Sequence, residues 1–174
     1  MVKEKIAAVV AALIALLVCV ACSSGNNADN KPITKDDLIN YNRTLARYDS
    51  ALIVAYSDTA QLCTKPTDGG LWITIHSEGS GPVLDYGNVV SLRYKVSTLL
   101  GKVYYSSERD GIKRFAIGSA DEPSGLSEAL ATMRIGTQAT LILIPDKAFG
   151  LVGDENRIHG RQILRYDFEI IENE

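Results

Sequence analysis

Residues 125–150 read GLSEALATMRIGTQATLILIPDKAFG, and the order of patterns in this stretch decides the fold of the chain. Ser124 precedes the stretch as the predicted N-cap of a helix of two to three turns. The helix has one apolar stripe, since the spacing of four side chains follows the helical period: Leu126, Ala129, Leu130 and Met133. Arg134 and Gly136 are the cation and the breaker expected at a helix end. The sequence therefore predicts a short amphipathic helix and then a turn.

A buried strand and a loop follow this predicted helix. Residues 137–144 are largely β-branched or aliphatic. They are too apolar for a strand with one face in water, so we expect a central strand. Pro145 has no amide donor and opens a loop, and Phe149 and Gly150 come just beyond the strand end. Loops held by a rigid scaffold often carry functional residues, so this loop is a candidate binding element.

This order of elements resembles the C-terminal half of the FKBP-type peptidyl-prolyl isomerases. In that family a Gly-x-x-x-Ala-Leu helix and a Met-x-x-Gly turn precede a strand that ends in Ile-Pro, and an aromatic-Gly loop follows. The matching positions are Gly125 with Ala129 and Leu130, Met133 with Gly136, Ile144 with Pro145, and Phe149 with Gly150. The combination is much more specific than any one motif. Further matches extend the resemblance from residue 71 to residue 174.

The resemblance implies an α+β fold, in which a curved antiparallel sheet wraps around one short helix. The residues themselves also predict short strands, at 71–76, 89–96, 102–106, 114–117, 137–144 and 163–171. In the last of these, apolar side chains alternate with charged ones, so one face is buried and the other lies in water. An antiparallel sheet covered by a single helix is the simplest way to bury such faces. We assign this domain to residues 70–174.

The N-terminal end of the chain is predicted to be a targeting segment and a tether. Residues 1–21 combine early lysines with an apolar run, and they resemble a bacterial lipoprotein signal. Cleavage would leave Cys22 to be acylated, and Cys22 fits better than Cys19 because a small residue precedes it. An ordinary cleaved signal is the alternative. Residues 22–33 are polar and are predicted to be a flexible tether.

Acylation of Cys22 implies a place in the cell. Several acyl chains on one cysteine make a stable anchor. We therefore expect the protein to be lipid-anchored to a bacterial membrane in the cell envelope. Of the possible membranes, we favour the outer membrane. Lipid-anchored envelope members of the FKBP-type family with an added N-terminal segment are familiar in Bacteroidetes-like bacteria.

Residues 34–69 are predicted to form a helix and its connector. Thr34 and Asp37 have the spacing of a helix start, and five apolar side chains then recur at alternating intervals of three and four: Leu38, Tyr41, Leu45, Tyr48 and Leu52. We expect a helix that ends near Ser57 and packs this stripe on the protein's own sheet. The alternative is a helix at residues 34–57 that pairs with a partner or a second copy. The pattern covers only about two and a half heptads, so we favour the first interpretation.

Composition and charge exclude several classes of function. The 174 residues are 46% hydrophobic with a formal net charge of −3, which suits a globular domain without a basic surface. No cluster of Lys and Arg is interleaved with aromatic residues, so we expect no nucleic-acid partner. His76 and His159 do not lie at metal-ligand spacing with Cys63 or with carboxylates. We therefore expect no metal and no cofactor.

Prolyl isomerisation requires neither a metal nor a cofactor. Rotation about a prolyl peptide bond requires the loss of amide resonance, and an apolar cavity that excludes water favours the less dipolar twisted amide. The resemblance implies seven residues for such a cavity, with Leu126 as its floor and six others as its walls: Tyr94, Tyr104, Phe115, Phe149, Ile158 and Tyr166. For each of them, packing in the core is the alternative interpretation. The expected partners are proline-containing polypeptides.

Three peripheral positions depart from the family pattern. Tyr105 replaces an acid that accepts a hydrogen bond within the pocket. Glu122 and Pro123 replace an apolar pair whose second backbone amide binds the substrate carbonyl, and Pro123 has no such donor. We therefore expect weakened but measurable isomerisation of peptides with an apolar residue before proline, in support of the folding of exported proteins. The alternatives are a non-catalytic peptide-binding module or holdase, and a structural lipoprotein with a vestigial pocket.

Overall fold

The computed structural model describes residues 32–62, 65–67 and 69–171. The predicted signal segment, Cys22 and almost all of the predicted tether lie outside these ranges. The chain divides into two units, Met1–Ile39 and Asn40–Glu174, and every strand belongs to the second. None of the helices within the described ranges is long and apolar enough to span a bilayer.

The second unit is built on a curved sheet of seven antiparallel strands, counted over the described residues. The order is β1-β2-β6-β7-β3-β4, and β5 pairs with β3. The strands are β1 (Lys65–Pro66), β2 (Trp72–Ser77), β3 (Val89–Ser97), β4 (Val103–Ser106), β5 (Lys113–Ala116), β6 (Gln138–Leu143) and β7 (Leu164–Ile171). The predicted curved sheet is confirmed. Only β1 is missing from the sequence-based set, because two residues are too few to show alternation.

Three α-helices and one 3-10 turn complete the described part of the chain. They are α1 (Lys35–Thr59), α2 (Ser107–Asp110), α3 (Ser124–Leu130) and the 3-10 turn Pro145–Lys147. The short helix α3 lies against one face of the sheet, and α1, from Asn40 onward, lies against the other. The predicted arrangement of one short helix inside the curved sheet, preceded by a longer N-terminal helix, is therefore confirmed.

Strand β6 is interior, as its sequence predicts, because β2 and β7 pair with its two edges. Leu141 and Leu143 face the α3 side and have no exposed surface. Ile142 points the other way, into a cluster with Ile53 of α1 and Trp72 of β2. Both faces of the strand are covered, which explains why its sequence lacks polar alternation.

Helix α3 fills the concave side of the sheet. Leu126 and Leu130 have no exposed surface, and they belong to one core cluster with Met133 and Tyr166, against which Tyr94 packs. This arrangement is the one that the apolar stripe predicts. The helix can approach β6 closely only because residue 125 is glycine. A Cβ atom at Gly125 would lie 2.5 Å from Leu143 Cδ2, so a larger residue would push the helix off the sheet.

The ends of α3 differ from the sequence-based expectation. Pro123, not Ser124, is the N-cap, and its carbonyl accepts hydrogen bonds from the N–H groups of Leu126 at 3.0 Å and Ser127 at 3.2 Å. The helix also stops at Leu130, so it has seven residues and Arg134 lies beyond its last turn. Backbone hydrogen bonds between residues three positions apart tighten the chain at this end and close it into a turn.

The start of α1 is as predicted. The N–H of Asp37 donates to Thr34 Oγ1 at 3.2 Å, and the N–H of Thr34 donates to Asp37 Oδ2 at 2.9 Å. These two reciprocal bonds form a capping box, with aspartate in the place of the more usual glutamate. The hydrogen bonds also lower the pKa of the Asp37 carboxyl, so it is ionised at the positive end of the helix.

The face of α1 that packs on the sheet was wrongly predicted. Tyr41 and Tyr48 of the expected stripe are each 62% exposed, and Leu52 is 41% exposed. The buried face is instead formed by Asp49, Ile53 and Ser57, which follow one another at intervals of four. The spacing of apolar side chains alone does not predict this face, because two of its three buried residues are polar.

That charged contact is an ion pair between α1 and the loop before β7. Both carboxylate oxygens of Asp49 lie 3.1 Å from Arg161 Nη2, and the Asp49 side chain is 8% exposed. Two turns further along the helix, the Tyr56 hydroxyl accepts a hydrogen bond of 2.5 Å from Arg165 Nη1 on β7. A charge buried this far is stable only when it is paired. The two contacts fix α1 on the outer face of the sheet.

We expect Leu130→Ala to lower the free energy of unfolding by roughly 2–5 kcal/mol, because it leaves a cavity between α3 and the sheet. Leu100→Ala is the matched control: Leu100 is 98% exposed, so its truncation should change stability by less than about 0.5 kcal/mol. Urea denaturation measures both. A cost below about 1 kcal/mol for Leu130→Ala would mean that α3 does not fill the core.

A double-mutant cycle tests the ion pair. Asp49→Ala should destabilise the protein by about 1–3 kcal/mol, less than for a fully buried pair because Arg161 is 33% exposed. Asp49→Ala and Arg161→Ala together should cost clearly less than the sum of the single changes. Asp58→Ala, at an exposed position of the same helix, is the control. Strict additivity would show that the two residues do not interact in solution.

Candidate functional site

A cavity of about 330 Å³ opens on the α3 side of the sheet. Its lining comes from β3, β4, β5, β7 and α2, together with the loops that follow β5 and β6. The lining residues are Tyr94, Val96, Tyr105, Asp110, Lys113, Asp121, Phe149, Asp154, Asn156 and Tyr166. Aromatic rings and charged groups therefore share one small space.

The structure divides the seven predicted cavity residues into two groups. Tyr94, Phe149 and Tyr166 line the cavity. The other four belong to the hydrophobic core or pack against it and are absent from the lining: Tyr104, Phe115, Leu126 and Ile158. Leu126 has no exposed surface, and Tyr104 and Ile158 are 4% and 3% exposed. The catalytic roles assigned to the seven from the resemblance stay predictions.

Strand pairing positions the aromatic walls. Residues two apart on one strand face the same side, so Tyr94 and Val96 of β3 both point towards α3. Val96 is paired with Tyr166 of β7, and Tyr166 is flanked on its other side by Leu141 of β6. The backbone N–H of Tyr94 donates to Ser107 Oγ at 2.7 Å, which ties β3 to α2. These contacts hold the two tyrosines in fixed positions.

The Phe149 loop is clamped at both ends. The N–H of Gly150 donates to the Pro145 carbonyl at 2.9 Å, and the Gly150 carbonyl accepts the N–H of Arg161 at 2.8 Å. Arg161 has a φ of 58°, a left-handed conformation that is uncommon for a residue other than glycine. Its side chain makes the ion pair with Asp49 of α1 described above. The loop that carries Phe149 is thereby connected to the N-terminal helix.

Tyr105 is engaged with an acid that the sequence analysis did not identify. Its hydroxyl donates to Asp154 Oδ2, while Asp154 Oδ1 accepts the N–H groups of Asn156 at 3.0 Å and Ile158 at 2.7 Å. Burial and this hydrogen bond raise the pKa of Tyr105 to about 12, so it is neutral at pH 7. Burial alone would raise the pKa of Asp154, but the hydrogen bonds outweigh it and lower that pKa. A carboxylate therefore faces the cavity next to residue 105, although residue 105 is not acidic.

A second acid of the cavity, Asp110, is neutralised by two arginines. It lies 3.1 Å from Arg109 and 2.7 Å from Arg157. Hydrogen bonds from Arg109 and then from Arg157 hold the pKa of Asp110 well below its usual range. The Arg157 guanidinium also stacks over the Tyr105 ring, 4.7 Å from its centroid, and donates to the Tyr104 carbonyl at 3.2 Å. Arg157 thus joins α2, β4 and the loop after β6.

The predicted peripheral pair Glu122 and Pro123 is close to the cavity without lining it. Glu122 Oε1 lies 2.7 Å from Lys113 Nζ, and the Glu122 side chain is 6% exposed. Its other oxygen, Oε2, is buried and has no hydrogen-bond partner among the described residues. Burial raises the pKa of the Glu122 carboxyl, while Lys113 acts to lower it. Pro123 is buried and, as the N-cap of α3, supplies a carbonyl acceptor but no donor.

Five residues of the lining were not predicted from the sequence: Val96, Asp110, Asp121, Asp154 and Asn156. Lys113, which also lines the cavity, stands near a position where the resemblance implies an aromatic wall. Four of the five are polar residues whose types and spacing are those of ordinary surface positions. The one local signal is Asp154 followed two residues later by Asn156, a spacing typical of an Asx turn. That signal predicts a turn and does not predict what the turn faces. Among the described residues, no three His, Cys, Asp or Glu side chains are grouped as metal ligands.

Comparisons with known proteins identify the family of this chain. A profile of the FKBP-type peptidyl-prolyl cis-trans isomerase family matches residues 81–171. Peptidyl-prolyl cis-trans isomerase FKBP1A of Xenopus laevis is 31% identical over 104 residues, which cover 59% of this chain and 96% of that protein. FK506-binding protein 1 of Dictyostelium discoideum is 29% identical over 103 residues, which again cover 59% of this chain and 96% of the relative.

The fold of this chain also resembles that of a peptidyl-prolyl isomerase of known structure. A crystal structure of a peptidyl-prolyl cis-trans isomerase from Pseudomonas syringae pv. tomato str. DC3000 superposes with a TM-score of 0.62 at 24% identity. The match covers 75% of this chain and 93% of that one. Since the family profile spans half of this chain and FKBP1A is matched over almost its whole length, the chain belongs to the FKBP-type peptidyl-prolyl cis-trans isomerases.

Proposed function

We propose that this isomerase binds the proline of a client polypeptide in the cavity between β3, β7 and the Phe149 loop, and that it assists the folding of exported proteins. The observation that carries the proposal is the meeting of Tyr94, Phe149 and Tyr166 around one cavity that backs onto a fully buried core. The cavity volume of about 330 Å³ lies at the lower end of the usual range for ligand sites. It suits a proline ring and one flanking residue.

Catalysis follows from exclusion of water and needs no nucleophile. The planar prolyl amide is more dipolar than the twisted one, so apolar walls favour the twisted state. Each tenfold gain in rate requires only about 1.4 kcal/mol of such preference. The contribution of Phe149 and Tyr166 is therefore the exclusion of water from both faces of the rotating bond.

The Tyr94 hydroxyl, at the cavity wall, is a donor suited to the substrate carbonyl. The Tyr105 hydroxyl already donates a hydrogen bond to Asp154, and Pro123 has no N–H. The Tyr94 hydroxyl makes no hydrogen bond to another described residue, and burial raises the pKa of Tyr94, so it stays neutral and keeps its proton. We assign to it the hydrogen bond that holds the carbonyl while the amide twists.

The alternative function is a peptide-binding module or holdase that has lost turnover. The absent donor at Pro123 and the charged groups in the lining favour it, because both weaken an apolar isomerase site. The two functions make different demands on the same cavity. An enzyme must bind the twisted amide better than the planar one, whereas a holdase only has to bind the chain.

We expect Phe149→Ala and Tyr166→Ala each to lower kcat/KM for prolyl peptides about tenfold or more, because each admits water to the cavity. Tyr48→Ala is the control, since this aromatic side chain is 62% exposed on α1. A protease-coupled or NMR exchange assay on the purified full chain gives the rates, and circular dichroism monitors folding. A folded wild-type protein whose turnover equals the uncatalysed rate would rule out the enzyme and leave the binding module.

The cellular setting is part of the proposal and rests on the sequence alone. We propose a signal peptide at residues 1–21, a tether at 22–33, and lipid attachment at Cys22 that holds the protein on a bacterial membrane, preferably the outer membrane. The helix and connector at 34–69 would then follow the tether in the chain and precede the isomerase domain at 70–174. A partner or second copy that binds residues 34–57 remains a proposal. The exposed side chains of Tyr41, Tyr48 and Leu52 support it.

Substitution of the acylated thiol tests the anchor. Cys22→Ser should abolish incorporation of labelled fatty acid and move the protein from the membrane fraction, whereas Cys19→Ser should leave both unchanged. Labelling is measured by metabolic incorporation in the native host or a close bacterial relative. The opposite pattern, in which Cys19→Ser alone removes the label, would move the cleavage site. If neither the variants nor the wild-type protein is labelled, lipid attachment is contradicted.

A further inference from the structure

The cavity carries more charged groups than recognition of a proline ring requires, and these charges are unevenly compensated. Three carboxylates line it, from Asp110, Asp121 and Asp154, against a single ammonium, that of Lys113. Proline itself carries no charge, so these groups do not serve recognition of its ring. They point to the residue next to it.

The cations near the cavity are already occupied. Lys113 is paired with Glu122, and both Arg109 and Arg157 are paired with Asp110. Neither arginine lines the cavity, and Arg157 is also held by the Tyr105 ring and the Tyr104 carbonyl. The charge of Asp110 is therefore compensated by these two arginines.

Two carboxylates are left without a cation. Within the described part of the chain, neither Asp121 nor Asp154 forms an ion pair. Asp154 is satisfied by hydrogen bonds from Tyr105, Asn156 and Ile158, which orient the carboxylate but leave its negative charge in place. Asp121 is exposed at the rim and lies next to Glu122 in the chain.

An unsatisfied acceptor gives an independent sign of a missing partner. Glu122 Oε2 is buried without a hydrogen bond to any described residue, although the Glu122 side chain is only 6% exposed. Glu122 follows Asp121, a lining residue of the cavity, in the chain. Native proteins rarely leave a buried acceptor unpaired, so this oxygen is open to a donor from a bound molecule.

From these contacts we propose that the cavity selects prolyl peptides with a lysine or arginine immediately before the proline. Consecutive Cα atoms are about 3.8 Å apart, so a proline between Tyr94, Phe149 and Tyr166 brings the preceding side chain to the rim beside Asp121 and Asp154. The cationic head contacts the two unpaired carboxylates and its stem covers the aromatic rim. This inference rests on the proposed binding of proline in the cavity, and it reverses the apolar preference expected from the sequence.

The test compares three peptides that differ only in the residue before proline, which is Lys, Leu or Glu. We expect kcat/KM for the Lys peptide to exceed that for the Leu peptide about fivefold at low salt, which corresponds to one partly exposed charge pair. The Glu peptide should be the poorest substrate. The advantage of Lys should shrink as salt is raised, because the carboxylates are partly exposed. Equal rates for Lys and Leu, or a preference for Glu, would overturn the proposal.

Charge-neutral variants locate the effect. Asp154→Asn and Asp121→Asn should each reduce the ratio of Lys to Leu turnover severalfold, with the change in KM rather than in kcat. Glu78→Gln, at an exposed acid outside the cavity, should leave the ratio unchanged. A ratio that is the same in both Asn variants and in the wild type would show that the preference, if present, arises elsewhere.

Peptide affinities separate this proposal from the enzyme proposal. Isothermal titration calorimetry with the same three peptides compares Lys and Leu without any turnover. Absence of turnover together with tighter binding of the Lys peptide would reject the enzyme and keep the specificity. Turnover of all three peptides with no difference in affinity or rate would keep the enzyme and reject the specificity.

Discussion

Burial of α3 against the concave face of the sheet is the interaction on which the rest of the structure depends. Leu126 and Leu130 are completely buried there, and Gly125 lets the helix come close enough for Leu143 to contact it. Hydrophobic burial of this kind supplies most of the driving force for folding. None of the seven residues of this helix lines the cavity, which opens on the same side of the sheet. Tyr94 and Tyr166 form part of the cavity wall.

The second constraint is the attachment of the Phe149 loop to α1. Phe149 stands outside regular structure, so its position depends on bonds from Gly150 to Pro145 and Arg161. Arg161 is in turn held by Asp49, a residue of a helix that lies outside the segment matched by the family profile. A helix added to the isomerase domain thus supports one wall of the candidate site. The ion pair between Asp49 and Arg161 therefore links the packing of α1 on the outer face of the sheet to the position of Phe149 on the cavity side.

Most of the fold was predictable because its patterns are local. The apolar run of β6, the alternation in β7 and the capping box at Thr34 each follow from neighbouring residues, and the resemblance supplied the way in which they combine. The buried face of α1 could not be predicted in the same manner. Its key residue is Asp49, and the partner that makes burial of an aspartate favourable is 112 positions away.

The site shows the same division between local and distant information. That Tyr94, Phe149 and Tyr166 line the cavity could be predicted, because the resemblance matches these positions to aromatic walls. The pairing of Tyr105 with Asp154 joins residues 49 positions apart, and no local pattern announces it. The sequence analysis therefore recognised the loss of an acid at position 105. It had no means of recognising that another carboxylate occupies the neighbouring space.

One measurement tests the central claim most directly, namely that this cavity catalyses rotation of a prolyl bond. A prolyl peptide is added to isotope-labelled full-length protein, and NMR records both the exchange of the peptide between cis and trans and the protein signals that shift. We expect exchange peaks at catalytic amounts of protein, with chemical-shift changes of the protein concentrated at Tyr94, Tyr105, Phe149 and Tyr166. Exchange no faster than in the free peptide, or shifts confined to the α1 side of the sheet, would contradict the claim.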